Sequence, residues 1–425
     1  MTDLATRVSP PRATLPRRVA PALVGYAAVR ALGLIVLAVW SAARGKSAYT
    51  LLTARWDALW YTRVAELGYG YEVRLPNGDV HSNLAFFPLL PWLERLLHAV
   101  TPLSYADAGF AVSLLSSLAA AGGIFAVAEW VHGPRVGLCA VLLWAVLPVG
   151  IVQSMAYSES LFTALAAWSL YALLTGRWVS AGLLAALAGL TRPVGAAVVA
   201  AVWVAGVLSF VGTRSASESH GAQADERAPA PPYDSPTGRI SRENGARAAT
   251  RAPSSTPDAP SWRRALGMVI APLGAAGYVL WVGHRTGKGP LGYLDVQAGW
   301  RNGFDGGYAF ARFVGEKFTS VPSAPAGAGL VLGVALLIWL YVTGVRRRQP
   351  VPLLVYTGVV LALALCASSY FGSKPRLLLP AFPLLLPLAH TLARARTSRS
   401  ALVTAGVAVA SAVYGAFWLN GSGPP

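Results

Sequence analysis

The chain has 425 residues, of which 55% are hydrophobic and only 12% charged. Soluble domains carry about 25% charged residues, so half that share excludes an ordinary water-exposed globule. The formal net charge of +17 does not point to nucleic acid here. The arginines cluster between apolar blocks, where they orient helices and meet anionic lipid headgroups. Two cysteines, Cys139 and Cys366, both lie inside apolar blocks and form no zinc or redox spacing.

An Arg-rich stretch ends near residue 18, and the apolar block 19–42 follows it. That block is too long for the core of a cleaved signal and lacks a good cleavage site, so it reads as an anchor behind a cytosolic tail, 1–18. Ten more apolar blocks have spanning character: 108–131, 136–154, 159–175, 178–191, 193–212, 265–283, 326–344, 350–368, 376–392 and 400–419. The expected fold is therefore an all-α polytopic membrane protein with about eleven transmembrane helices. Thr191-Arg192-Pro193 breaks the fifth block from the sixth, as a tight hairpin or a broken helix. The apolar segment 83–100 holds Pro88, Pro91, Glu94 and Arg95 and suits an interfacial or re-entrant element better than a span.

With the N-terminus cytosolic, strict alternation puts Arg135, Arg177, Arg346-Arg347-Arg348, Arg394, Arg396 and Arg399 on the cytosolic face. The opposite face receives two long loops, 43–107 and 284–325, and the short turns 155–158, 191–193 and 369–375. Residues 213–262 are rich in Ser, Ala, Pro and Arg with almost no large apolar residue, which predicts a disordered cytosolic linker. It divides an N-terminal membrane module, 19–212, from a C-terminal one, 263–425.

The unusual polar residues gather on the outer face. Arg55-Trp56-Asp57-Ala58-Leu59-Trp60-Tyr61 directly follows the first span. A carboxylate among aromatic rings sheds water and becomes a better acceptor for a hydroxyl proton. The alternative is an interfacial aromatic belt in which Asp57 pairs with Arg55 or Arg63. In the same loop, His81 has the chemistry to assist proton transfer or bond a phosphate oxygen, or it is a plain loop residue. Phe86-Phe87-Pro88 with Pro91 suits a lipid groove or a docking turn. Glu159, after Ser158, suits helix capping or ligand binding. Arg192 suits snorkelling or phosphate binding. Lys374 and Arg376 are two cations on the face that should lack them, which an anionic ligand would explain. Gln297 with Trp300 and Arg301 is a weaker feature that suits sugar binding or a loop amphipathic helix. Glycine-rich phosphate loops, HExxH and Asp-x-Asp are absent from the sequence, so a lipid-phosphate donor fits better than a nucleotide sugar with a metal.

Taken together, these segments resemble the GPI second-mannose transferase family and its bacterial relatives, in the GT-C class of glycosyltransferases. The matching stretches are Arg55 to Tyr61 with Gly68-Tyr69, Leu84 to Pro91, Tyr157 to Phe162, Gly189 to Pro193, and Gly372 to Pro383, in the family's order. The resemblance implies a GT-C-like helical bundle with long first and fourth outer loops. It also implies inverting transfer of mannose from a polyprenyl-phosphate carrier to an acceptor on the extracytoplasmic side. On that basis Asp57 is the expected general base. Arg376, Arg192 and Lys374 would bind the donor phosphate. Glu159, His81, Trp56, Tyr61 and Gln297 would line the sugar or acceptor side. No cofactor is expected, and a divalent metal stays open because a single Asp stands where many such enzymes carry an acidic pair. The expected partners are the polyprenyl-phosphate donor and membrane lipids. The rival expectation is a lipid or lipid-linked sugar transporter, which would need polar residues along the spans. Few are present beyond Arg30 and Gln153.

Overall fold

The computed structural model describes residues 15–225, 260–368 and 370–421, with side chains described to 211 in the first of these. Most of the 213–262 segment, like residues 1–14 of the expected tail, lies outside the described residues. The described chain is built of helices and one small hairpin. The first part runs α1 (Leu15–Ala43), α2 (Ala48–Thr53), α3 (Asp57–Leu67), strands β1 (Glu72–Arg74) and β2 (Val80–Ser82), α4 (Leu89–Val100), α5 (Tyr105–His132), α6 (Pro134–Ala145), α7 (Ser158–Leu174), α8 (Trp178–Gly189) and α9 (Ala196–Asp225). The second runs α10 (Ser261–Ile270), α11 (Leu273–Thr286), α12 (Gly292–Gly299), α13 (Tyr308–Glu316), α14 (Ala324–Arg346), α15 (Val351–Cys366), α16 (Lys374–Leu377), α17 (Leu386–Arg394) and α18 (Thr397–Leu419).

Every apolar block of the sequence falls on helix, but the blocks differ in length. Among the described residues, six stretches are long and apolar enough to cross a bilayer: Leu15–Ala43, Tyr105–His132, Pro193–Val211, Ser261–Thr286, Ala324–Arg346 and Thr397–Leu419. A seventh, Phe371–Leu377 with Phe382–Arg394, is bent by 76° at its break. Others expected as spans are short: α6 and α8 have 12 residues each and α15 has 16. Twelve helical residues rise roughly 18 Å, well under the ~30 Å hydrocarbon core. In the block 136–154 the helix stops at Ala145, and a 3-10 turn, Gly150–Ser154, carries the chain onward. Pro148 precedes that turn and cannot donate into a continuing ladder. Helix α9 runs to Asp225, past the boundary expected at 212. The segment 83–100 becomes a 3-10 turn, Asn83–Ala85, and the 12-residue α4, again too short to span.

Helix α5 is the central member, with 61% of its most apolar window buried, whereas α14 is peripheral at 11%. Small residues let α8 meet α10 and α11 backbone to backbone. A Cβ on Gly274 would stand 1.8 Å from the Ala186 carbonyl oxygen, and one on Gly182 would stand 2.4 Å from that of Gly267. Such contacts are how apolar helices associate without water to drive them together.

Arg30 and Gln153, the polar residues that stand out within the apolar blocks, brace the fold. Arg30 is buried and donates to the carbonyls of Ala145 and Gly150, closing the open C-terminal end of α6. Gln153 accepts from Tyr26 and donates to Trp144 O. Of the side-chain groups of these two residues, Arg30 Nε alone has no hydrogen-bond partner.

The loop segments expected on one face do converge at one end of the bundle. Asn83, fully buried, accepts from Gly70 N and donates to Gly68 O, both at 3.0 Å, which folds the first loop back on itself. Gly68 and Gly70 take φ of +80° and +124°, values that a side chain would strain. The second long loop docks on this one: Trp300 Nε1 donates to Ser82 O at 3.0 Å and Arg301 pairs with Asp79 at 2.6 Å. It also touches the chain just after α15, where Gly303 N donates to Ser368 Oγ and Phe304 bridges to Ala367.

Candidate active site

Asp57 is the first residue of α3, where the exposed amide groups of the helix start favour a carboxylate. Trp56 before it has φ +51° and ψ −124°, a sparsely populated conformation for a bulky residue. Arg55 lies over the Trp56 ring at 4.1 Å and donates toward the carbonyls of Leu419 and Gly421, so the loop is tied to the end of α18. The turn that delivers Asp57 is thus held in a strained shape by packing on both sides.

Asp57 pairs with neither Arg55 nor Arg63. Its Oδ2 stands 2.9 Å from Arg376 Nη1, a residue from the far end of the chain, and Arg63 lies over the Tyr71 ring instead. Arg376 Nε in turn approaches Glu159 Oε1 at 3.1 Å, and the same oxygen stands 2.6 Å from Arg192 Nη1. The result is an alternating chain of charges, Asp57, Arg376, Glu159 and Arg192. Four segments distant in sequence supply them: the start of α3, α16, the start of α7 and the break between α8 and α9. Two carboxylates balance two guanidiniums, which is how such charges are tolerated out of water.

Exposure is graded along this chain. The Glu159 side chain is 2% exposed, Arg376 10%, Arg192 13% and Asp57 25%. Asp57 is therefore the member that a ligand reaches first. Glu159 Oε1, and Nε and Nη1 of Arg376, are close to opposite charge without making a hydrogen bond, and Glu159 Oε2 has no hydrogen-bond partner. The guanidinium of Arg376 also faces the Tyr157 ring at 5.1 Å, and the buried Tyr157 hydroxyl has no hydrogen-bond partner. These atoms retain capacity for further partners.

Tyr61, one turn along α3 from Asp57, shares a 2.7 Å hydrogen bond with Ser158 Oγ, which also accepts from Arg192 at 3.2 Å. Burial pushes the Tyr61 phenol well above its ordinary value; nearby Arg192 opposes this and the carboxylates of Asp57 and Glu159 reinforce it. Tyr61 is a permanent hydroxyl here, not a base.

The remaining residues singled out in the sequence sit around this centre or away from it. Lys374 is buried, but its ammonium donates to the carbonyls of Ala364 and Ala367 at 2.7 and 2.8 Å and faces the rings of Phe310 and Phe371. It closes the C-terminus of α15 and is not brought to Asp57. His81 stacks on Trp300 with ring centroids 4.0 Å apart and planes 10° apart. Burial lowers its proton affinity, against the pull of Asp79, which disfavours the charged imidazole. Gln297 bonds to Tyr293 and Asn302 within the second loop. Trp56 packs against a buried apolar cluster that includes Leu37, Leu51 and Met155.

Sequence reasoning did not single out Ser158 and Tyr157, which flank Glu159, nor the ring cluster that roofs the site. Trp60 stacks on Phe86 at 5.6 Å and meets Trp300 edge-on at 4.9 Å, joining the two long loops above α3. The spacing Asp57, Trp60, Tyr61 puts all three on one helical face, a signal already present in the sequence.

Glu94 on α4 counts in the sequence only against a membrane span at 83–100. It is fully buried, and neither oxygen has a partner. A Cβ on Gly109 would stand 2.6 Å from its Oε1. Burial raises its pKa well above 4.5. The folded state therefore holds a proton that the unfolded chain releases, and stability falls as pH rises above about 4.5 until the folded pKa is passed. Glu94→Gln removes that slope. The expected result is an unfolding temperature equal to wild type near pH 4.5 and increasingly above it at pH 7 and 8.5. Parallel curves would show that Glu94 is not held protonated.

Comparison with known proteins places this geometry in context. Residues 38–210 match the model of the family described as Mannosyltransferase (PIG-V). That stretch holds Asp57, Glu159 and Arg192, while Arg376 lies beyond it. The GPI alpha-1,6-mannosyltransferase 2 of Mus musculus is 35% identical over 151 residues, and that of Rattus norvegicus 34% over 149. Each alignment covers 33% of this chain, and the chain spans only 28% of the length of these curated relatives. Among solved structures, the chain is similar to ArnT from Cupriavidus metallidurans bound to undecaprenyl phosphate, with TM-score 0.49 and 16% identity, over 89% of this chain and 61% of that one. It is also similar to the Archaeoglobus fulgidus oligosaccharyltransferase, with TM-score 0.41 and 14% identity, over 93% and 53%.

Proposed function

We propose that the chain is a GT-C-like integral-membrane glycosyltransferase that moves mannose from a polyprenyl-phosphate carrier to an acceptor hydroxyl on the extracytoplasmic side, with the N-terminus cytosolic. The family match over 38–210 supports the sugar-transfer class. The observation that carries the mechanism is the Asp57–Arg376 pair, a partly exposed carboxylate beside a guanidinium that Glu159 holds together with Arg192.

In this reading the donor phosphate binds at Arg376 and Arg192. Asp57 Oδ2 lies toward Arg376, which leaves Oδ1 for the proton of the acceptor hydroxyl. The hydroxyl oxygen attacks C1 of the sugar, the bond from C1 to the phosphate oxygen breaks, and configuration inverts. The proton ends on Asp57. The carrier leaves as a phosphate anion, whose charge the guanidiniums stabilise in a site sheltered from water, so no strong general acid is required. Lys374 contributes indirectly, by fixing the turn from which Arg376 projects.

The test uses membranes containing the full chain, supplied with polyprenyl-phosphate-[14C]mannose or with a nucleotide-sugar donor. Only the lipid-linked donor is expected to be consumed, with release of polyprenyl phosphate. Arg376→Ala is expected to slow that consumption at least 100-fold, since one preorganised charge contact to a developing anion is worth about 10²–10³ in rate. Consumption of the nucleotide sugar instead, or an undiminished rate in Arg376→Ala, would refute the assignment.

A further inference from the structure

The end of the bundle opposite Asp57 holds a second cationic cluster that sugar transfer does not use. His132 ends α5, Arg347 follows α14, and His390 and Arg394 lie in the last turns of α17. The imidazoles of His132 and His390 stand 5.4 Å apart, centroid to centroid. The Arg347 charge acts on both rings and that of Arg394 on His390. Arg135 borders the cluster but is occupied, donating to Ala395 O and Thr397 Oγ1.

Helix C-termini favour cations, which accounts for one basic group at each of three helix ends. It does not account for two imidazoles set 5.4 Å apart, their planes tilted by 50°, within reach of the Arg347 charge. Among the described residues, none of the ion pairs includes His132, His390, Arg347 or Arg394. His390 Nδ1 is shut off from solvent and has no hydrogen-bond partner. Arg347 and Arg394 bring positive charge to this junction with no carboxylate paired to either among the described residues, and an anion with several acceptor oxygens would take those charges and an imidazole N–H together.

We propose that this junction of α5, α14 and α17 binds the phosphate headgroup of an anionic membrane lipid. The lipid source follows from place and surroundings. The cluster lies where helices end, at headgroup level, and the adjoining flank of α14 is apolar and uncovered at Trp339, Val342 and Val345. Acyl chains would lie along that flank while the phosphate meets Arg347 and the imidazoles.

The full chain in a neutral detergent, titrated with phosphatidylglycerol or phosphatidylcholine and read by native mass spectrometry, tests this. Phosphatidylglycerol is expected to bind preferentially, and Arg347→Gln to weaken it about fivefold, the worth of one basic residue at an anionic surface. His132→Gln with His390→Gln is expected to weaken it further, with the unfolding temperature and donor consumption unchanged. Equal binding of the two lipids, or wild-type affinity in the variants, overturns the site. Displacement of the lipid by millimolar inorganic phosphate overturns the lipid assignment.

Discussion

Asp57→Asn is expected to cut sugar transfer by about 10²–10⁴, the usual contribution of a positioned general base, without weakening the hold on the donor carrier. The reasoning turns on what the carboxylate does in the resting site. Asp57 stands 2.9 Å from Arg376, so it competes with an incoming phosphate for the same guanidinium. Asparagine keeps the shape and removes both the base and the competitor. Binding of polyprenyl phosphate to the variant should therefore equal or exceed that of wild type, while turnover collapses. Two measurements separate the roles: an equilibrium titration with polyprenyl phosphate, and single-turnover release of the carrier from the mannosylated donor. A variant that binds and turns over like wild type would remove Asp57 from the mechanism. A variant that loses binding would make Asp57 a structural prop for Arg376 instead.

Much of this was legible in the sequence because membrane folding is a question of length and polarity. Blocks of apolar residues became helices wherever they were expected, and the loops rich in Trp, Tyr and charge gathered at one end. What the sequence does not encode locally is how much of a block is helix. The stretch 136–154 looks like one span, yet Arg30 from α1 terminates α6 by taking the carbonyls of Ala145 and Gly150. That contact joins residues more than a hundred positions apart, and no window along the chain contains it. The site shows the same division. Asp57, Glu159, Arg192 and Arg376 each stood out as charges at a membrane boundary, where charge is costly and needs a reason. Their pairing did not stand out, and neither did the diversion of Lys374 to carbonyls. A cation has equal reason to bind an anionic ligand or a helix end, and only the fold decides which is nearer. Glu94 reads in the sequence only as a mark of an interfacial or re-entrant segment, because a glutamate on a short amphipathic helix normally faces water.

Glu159 is where the fold and the proposed chemistry depend on one side chain. It is 2% exposed and holds two guanidiniums, Arg192 at 2.6 Å and Arg376 at 3.1 Å. Glu159→Ala leaves those cations facing each other with no carboxylate between them. Breaking a buried pair from one side costs about 3–5 kcal/mol, and a clear fall in unfolding temperature is expected. A purely structural role predicts that and nothing more. If Arg192 and Arg376 form the phosphate site, an added polyprenyl phosphate supplies the missing negative charge. Its stabilisation of Glu159→Ala should then exceed its stabilisation of wild type, because a ligand that binds only the folded state stabilises in proportion to its affinity. Thermal unfolding of both proteins, with and without polyprenyl phosphate, reads this directly. An equal or smaller shift in the variant would separate these guanidiniums from the phosphate and leave Glu159 a packing residue. A larger one would mean that the carboxylate keeps open, between two arginines, a place that the substrate's own charge comes to fill.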